Sequence, residues 1–277
     1  MTSVPTVKLN NGVEMPQLGF GVFQVPDAET TAAVKAALDA GYRSIDTAAI
    51  YGNEAGVGQA ITESGIARDE LFITTKLWNA DQGYDTTLKA FDESLAKLGL
   101  DRLDLYLIHW PTPERDRYLD TWKAFEKLYA DGRVRAIGVS NFQPAHLERL
   151  IDASDVVPAV NQIELHPYLQ QPQLREFDAK HGIATEAWSP LAKGGDLLGE
   201  SAVQALAQKY QRTPAQIVLR WHLHLGTIVI PKSVTPSRIA ENFDIFGFTL
   251  SDEDVASLST LERGLRTGPD PDTMNAA

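Results

Sequence analysis

Eight short runs of β-branched, aliphatic and aromatic residues recur along this chain, each followed by a stretch with helical apolar spacing, and that alternation restricts the fold more than any other feature. The runs are Leu18–Phe23, Ser44–Thr47, Leu71–Leu77, Leu103–His109, Val134–Val139, Ala159–Glu164, Ala184–Trp188 and Thr227–Pro231. Between them apolar residues return every three or four positions, as in Val34, Ala37 and Leu38 before Gly41, or Leu88, Phe91, Leu95 and Leu98 before Gly99. That spacing marks helices with one buried face, closed by glycine. Several runs are apolar at nearly every residue, such as Leu105-Tyr106-Leu107-Ile108 and Ile228-Val229-Ile230, as in parallel strands packed inside and covered by helices outside. Eight such units of roughly 25–40 residues predict an α/β fold, a (β/α)8 TIM barrel, formed as one domain over residues 1–277. An open doubly wound sheet is the competing architecture and fits eight units less well.

Ahead of the first run, Thr6–Leu9 and Val13–Met15 flank Asn10-Asn11-Gly12. Asn and Gly tolerate positive φ, so the pattern predicts a type I′ β-hairpin, placed as a plug that closes the barrel floor. Two segments read as mobile loops on the opposite face: the connection from Lys193 to Ala207, which begins with Gly194-Gly195, and the tail from Gly264, rich in Gly, Pro and Asp. Gly19-Phe20-Gly21 lacks the third glycine of a phosphate-binding loop and reads only as permitting a tight loop.

Composition removes several function classes. The formal charge of −12 and the lack of a dense Lys/Arg block argue against nucleic acid as a partner. No run approaches the ~18 apolar residues that cross a bilayer, and the start Met1-Thr2-Ser3-Val4-Pro5 has no basic segment leading into an apolar one. The expectation is a cytoplasmic monomer. With no cysteine, thiol catalysis, disulfides and thiolate metal sites are excluded.

In barrels the active site forms where strands end and the following loops begin. Asp46 ends the second run with Tyr51 in its loop, Lys76 lies near the end of the third, and His109 closes the fourth. Lys76 near the phenol favours phenolate: at ~4 Å and an effective dielectric of ~20 the attraction is about 4 kcal/mol, roughly three pKa units. The expectation is therefore a Tyr51 pKa lowered towards neutrality. Asp46 would keep Lys76 charged, His109 would orient a substrate oxygen, and Tyr51 would donate a proton as hydride reaches carbon. Taken singly, each residue also suits a cap or a satisfied polar group, and the spacing alone admits other barrel chemistries.

These residues lie in motifs that resemble the aldo-keto reductases: Gly41-Tyr42-Arg43-Ser44-Ile45-Asp46-Thr47-Ala48 with Tyr51-Gly52-Asn53-Glu54, then Thr74-Thr75-Lys76-Leu77-Trp78, then Leu107-Ile108-His109-Trp110-Pro111. Ile137-Gly138-Val139-Ser140-Asn141-Phe142, Asn161-Gln162-Ile163-Glu164-Leu165-His166-Pro167 and Ile230-Pro231-Lys232-Ser233 follow in order. The resemblance covers essentially the whole chain and is closest to the bacterial branch that includes 2,5-diketo-D-gluconate reductases. It implies NADPH-dependent reduction of aldehydes and ketones, among them diketones, 2-oxo aldehydes and keto-sugars, without a metal, and Asp46, Tyr51, Lys76 and His109 as the catalytic four. It further implies that Ser140, Asn141 and Gln162 hold the nicotinamide carboxamide and that Trp188, where much of the family has tyrosine, stacks on the ring. Ser189 and Leu191 follow it along the cofactor. Lys232, Ser233, Val234 and Arg238 match the positions around the adenosine 2′-phosphate, and Glu241 and Asn242 those near the adenine. Two cations beside a late strand and a helix start suit a phosphate dianion, which favours NADP(H) over NAD(H). Phe23, Ile50, Trp78 and Trp110 are candidates for a substrate wall.

Of the remaining histidines, His222 and His224 follow Thr213-Pro214, a cap and first-turn pair, and their i, i+2 spacing puts them on different faces of one helix. His166 beside Pro167 reads as packing behind the site. Competing readings are a class I aldolase using Lys76 as a Schiff base, disfavoured by Asp46 beside it; a metal-dependent hydrolase, which needs clustered ligands at strand ends; and a non-catalytic NADPH-binding partner protein of the same fold.

Overall fold

Eight parallel strands lie side by side in chain order and their two outer members meet. The computed structural model describes residues 4–277, so the part of the leader reading that falls on residues 1–3 lies outside it. The barrel strands are β3 (Phe20–Gly21), β4 (Ser44–Asp46), β5 (Phe72–Leu77), β6 (Leu103–Ile108), β7 (Val134–Ser140), β8 (Val160–Glu164), β9 (Ala184–Trp188) and β10 (Ile228–Val229). Each pairs with the next in parallel. The ring closes through Val229 N→Gln17 O at 3.0 Å, Gly19 N→Val229 O at 2.9 Å and Gly21 N→Pro231 O at 3.1 Å. At this seam Gly21 is a packing residue and not part of a tight loop, because a Cβ there would stand 3.2 Å from Ile230 O.

Helices α1 (Asp27–Ala40), α2 (Glu54–Ser64), α3 (Tyr84–Leu98), α4 (Tyr118–Ala130), α5 (Pro144–Asp152) and α6 (Pro172–Lys180) each follow one of β3 to β8. After β9 come α7 (Ser201–Tyr210) and α8 (Pro214–His224), and after β10 come α9 (Pro236–Phe243) and α10 (Asp252–Ser259). The long loop expected from Lys193 to Ala207 is thus only half a loop: a 3-10 turn at Asp196–Gly199 leads into α7, which buries Val203, Leu206 and Ala207. The apolar spacing of those three residues at i, i+3 and i+4 carries that helix. α8 starts as its sequence demands. Thr213 Oγ1 accepts from Gln216 N at 3.3 Å and Gln216 Oε1 from Thr213 N at 3.0 Å, a capping box followed by proline.

Strand parity divides the interior. Outward residues such as Ile45, Ile73, Tyr106, Ile108, Ile137 and Val139 pack under the helices. Inward residues form two tiers, and the lower one is apolar: Phe72, Leu105, Leu107, Ala136, Val160 and Ile228. Leu9 and Met15 of the N-terminal hairpin, β1 (Thr6–Lys8) with β2 (Glu14–Pro16), join that cluster, so the hairpin does plug the floor. Its turn is not type I′. Only Gly12 has positive φ, at +86°, while Gly12 N bonds Leu9 O and Leu9 N bonds Val13 O, both at 2.9 Å. The arrangement is a three-residue loop ending in a left-handed glycine. Asn10 and Asn11 spend their side chains on Pro158 O (3.0 Å) and Arg135 O (2.9 Å), which fix the plug to the barrel rim.

Candidate active site

The upper inward tier is polar, and alternation along each strand puts it there. Phe72, Thr74 and Lys76 share one face of β5, as do Ser44 and Asp46 on β4, and His109 continues the inward face of β6 beyond Leu107. Asp46 pairs with Thr74 and Lys76 with Leu107, so the staggered strand ends bring Asp46, Lys76 and His109 into one corner. Lys76 is wholly buried; its Nζ donates to Asp46 Oδ1 at 2.5 Å and to Thr47 O at 2.9 Å. Burial works against the ammonium, but Asp46 and then Tyr51 outweigh it and hold the Lys76 pKa above its ordinary value.

Tyr51 closes a 3-10 turn, Ala49–Tyr51, that follows directly on β4. Its ring centre lies 5.2 Å from Lys76 Nζ, 5.0 Å from the Phe23 ring and 5.7 Å from the His109 ring. The expected lowering of its pKa does not hold: burial raises it more than Lys76 lowers it, and Asp46 adds to the rise. The resting phenol is therefore protonated, and the Lys76 field acts on tyrosinate only as that charge forms. His109 is pushed well below its ordinary pKa by burial and by Lys76, so its imidazole is neutral. Its buried Nδ1 has no partner. A proton on that atom would be stranded, which places the N–H on Nε2.

Two carboxyl groups of this tier escaped the sequence reading. Gln162 Nε2 donates to Asp46 Oδ2 and to Glu186 Oε2, each at 2.8 Å. Glu164 takes His166 Nε2 at 3.0 Å, Thr267 N and Thr267 Oγ1 at 2.6 Å, and Gly268 N at 3.1 Å. Burial alone would raise Glu164; the bonds from His166 and the tail outweigh it and hold this carboxylate below its usual range. The signal was parity. Glu164 lies two residues beyond Gln162, and Glu186 two before Trp188, on faces already assigned inward. His166 does stand behind the site, as its Glu164 partner. The tail from Gly264 is anchored: Lys193 Nζ reaches Thr267 O at 2.7 Å, Asn79 Nδ2 reaches Ala276 O at 2.8 Å, and Glu114 N reaches Asn275 Oδ1 at 2.9 Å. It spans the loops after β5, β6 and β9.

The residues singled out for a dinucleotide lie along one arc. Ser140 Oγ donates to Gln162 O at 2.8 Å. Asn141, at φ +64°, spends its Nδ2 hydrogens on His109 O (3.0 Å) and Ser140 Oγ (3.1 Å), and its Oδ1 accepts from Trp188 Nε1 at 2.8 Å. The indole is thus pinned edge-on by a bond that a tyrosine would have to make differently. Its far edge meets the tail, where a Cβ on Gly268 would come 2.5 Å from the ring. Ser189, at φ +47°, turns the chain out of β9, and Leu191 packs partly buried on the core.

Beyond β10 the character changes. Lys232, Val234 and Arg238 are exposed, Ser233 is half-buried, and Ser233 Oγ accepts from Thr235 N at 3.1 Å. Among the described residues neither Lys232 nor Arg238 belongs to an ion pair. The start of α9 has no side-chain cap, so its first amides are free as well. Two unpaired cations beside open helix amides are a donor set that fits a phosphate dianion. Asn242 is buried nearby, and Glu241 accepts from Thr213 Oγ1 at 2.8 Å.

Of the aromatic wall, Trp78 lies edge-on to His109 with centres 5.3 Å apart and Trp110 stacks on it at 6.4 Å. Phe23 is 50% exposed beside Tyr51, and Ile50, 48% exposed, borders with Trp78 a cleft of about 200 Å³ against α3. His222 and His224 part company: the first is buried with Nε2 3.1 Å from Pro190 O, and the second faces Asp252 at 3.4 Å.

Comparisons with known proteins agree with this geometry. The sequence profile of the aldo/keto reductase family matches residues 17–263. The glyoxal reductase of Bacillus subtilis is 56% identical over 270 residues, 97% of each chain. The methylglyoxal reductase DkgA of Yersinia pestis is 55% identical over 277 residues, covering 100% of this chain and 99% of its own. The crystal structure of a Gox0644 mutant in complex with NADPH is 51% identical, with a TM-score of 0.94 over 99% of both chains. No helix among the described residues is long and apolar enough to cross a membrane. An eight-stranded barrel with a polar upper tier, matched over its whole length by reductases of one kind, places this chain in the aldo/keto reductase family.

Proposed function

We propose that this protein reduces small 2-oxo aldehydes of the glyoxal and methylglyoxal type to hydroxy carbonyl products with NADPH, and that Tyr51 donates the proton. The observation that carries the reading is the buried Lys76 ammonium, 2.5 Å from Asp46 Oδ1 and 5.2 Å from the Tyr51 ring centre. The substrate class is that of the two relatives, which act under those names. NADPH, when bound, supplies the hydride to the carbonyl carbon. Tyr51 gives its phenol proton to the carbonyl oxygen, and Lys76 stabilises the tyrosinate that results. Asp46 keeps Lys76 in place and charged. His109, neutral with its proton on Nε2, donates to the same oxygen and orients it.

The cofactor fits the side chains at hand. Asn141 and Gln162 have both amide hydrogens committed, so each can offer a cofactor only its oxygen, Gln162 Oε1 and the second lone pair of Asn141 Oδ1 beside its bond from Trp188, which suits the NH2 of a carboxamide. Ser140 stands between them, and the pinned Trp188 offers its face to the ring. Ser189 and Leu191 line the way to the cradle of Lys232, Ser233, Val234 and Arg238 around the 2′-phosphate, with Glu241 and Asn242 at the adenine. Phe23, Ile50, Trp78 and Trp110 bound the substrate, under a tail that narrows the mouth. All these groups come from one chain, so a monomer would carry a complete site.

The test is Tyr51→Phe assayed with NADPH and methylglyoxal. Reduction should fall about 10³-fold, within the usual range for general acid catalysis, while NADPH binding, followed by fluorescence, stays within about twofold. Retained turnover removes Tyr51 from its role.

A further inference from the structure

Asp46 and Glu164 have donors on both carboxylate oxygens. Glu186 does not. Its Oε2 accepts from Gln162 Nε2 at 2.8 Å, its Oε1 has no partner, and the residue is wholly buried. One amide nitrogen therefore bridges two carboxyl groups, Asp46 and Glu186. The groups facing Glu186 are Asp46 from β4, Lys76 from β5 and Gln162 from β8, with Tyr51 also within the reach of its charge. Its backbone neighbour on β10 is the apolar Ile228. One cation serves this dry volume, and it sits on Asp46.

Two carboxylates cannot both remain ionised against a single ammonium where water is excluded. Of the two, Asp46 is the one that touches Lys76, at 2.5 Å. The proton falls to Glu186, whose pKa is pushed up to about 8 by burial and by the Asp46 charge.

We propose that Glu186 is a positioning residue of the reduction, resting as the neutral acid, and that its ionisation weakens the action of Lys76 on Tyr51. The inference rests on the assignment of Tyr51 as proton donor. The sign follows from charge. Reduction creates a tyrosinate beside Lys76, and a second carboxylate in the same volume opposes it, so the rate falls as pH rises through the Glu186 pKa. Glu186→Gln keeps the neutral charge and the acceptor for Gln162, and it removes the titration.

The experiment is kcat against pH at saturating NADPH and methylglyoxal for the wild type and Glu186→Gln. The wild type should lose roughly tenfold between about pH 7 and 9, the effect of one pKa unit on Tyr51, while Glu186→Gln changes less than about twofold. The same alkaline fall in both, or a flat wild-type profile, overturns the proposal. A second measurement needs neither the variant nor the cofactor: infrared spectra of the unliganded wild type with isotope-labelled glutamate carboxyls. A protonated glutamic acid at pH 7 that ionises by about pH 9 is expected, and its absence overturns the proposal even where the variant fails to fold. Were Tyr51→Phe to retain turnover, the proton-donor reading would fail while this infrared titration stood.

Discussion

The two ends of the candidate site are built on opposite principles. In the corner of Asp46, Lys76, Gln162 and Glu186 the side chains are almost fully buried and hold one another through bonds of 2.5–2.8 Å. Around Lys232 and Arg238 the cations stand exposed and in no ion pair among the described residues. A dry charge acts strongly on a neighbour but is costly to disturb, whereas a wet charge acts weakly, is screened by salt and is cheap to change. Under the proposed function the contrast divides the labour: the corner would set the rate of the chemical step, and the cradle would set which cofactor binds and how tightly.

The largest break in that comparison is Lys76→Met. It removes the cation proposed to stabilise tyrosinate and leaves Asp46 buried without its partner. The expected result is a loss in kcat of about 10³-fold, from an interaction of about 4 kcal/mol, together with a destabilisation of about 3–5 kcal/mol in urea unfolding. A stable variant with near-normal kcat would show that the corner is structural only.

Next in size is the cradle. Lys232→Ala with Arg238→Ala should weaken NADPH binding about 10- to 100-fold, the scale of a lost charge-assisted bond or two. NADH binding and unfolding stability should stay nearly unchanged, the latter within about 0.5 kcal/mol. Wild-type NADPH affinity should also drop as salt is raised, and the double variant should lose most of that dependence. Equal weakening of NADPH and NADH would place the 2′-phosphate elsewhere.

The smallest effect is at Trp188, where the two regions meet. Trp188→Phe keeps a stacking face and loses the bond from Nε1 to Asn141 Oδ1. A change of about three- to tenfold in NADPH affinity, with kcat within about threefold, fits one neutral hydrogen bond. Titration calorimetry beside steady-state rates checks both.

The sequence carried the fold well where strands are long and poorly at the seam. β5 and β6 are each six residues long, buried throughout, and fall within a residue or two of their expected bounds. At the closure, Leu18–Phe23 and Thr227–Pro231 shrink to Phe20–Gly21 and Ile228–Val229, because these two segments meet through an isolated bridge and separate bonds and not through a continuous ladder. Asp46, Lys76 and His109 were legible because strand ends expose polar groups to a common mouth. The direction of the Tyr51 shift was not, since it depends on how much water burial removes, which no spacing reports. Glu186 was passed over for a related reason. Charged residues inside strands are ordinarily read as exposed, and only the inward parity shared with Trp188 marks this one as buried.

Single-turnover hydride transfer at saturating NADPH, followed by stopped flow in Lys76→Met and in the Lys232→Ala, Arg238→Ala double variant, tests the division of labour most directly. The step should be slowed about 10³-fold in the first and stay within about threefold of wild type in the second. A double variant slowed as much as Lys76→Met, once saturated with cofactor, would contradict it.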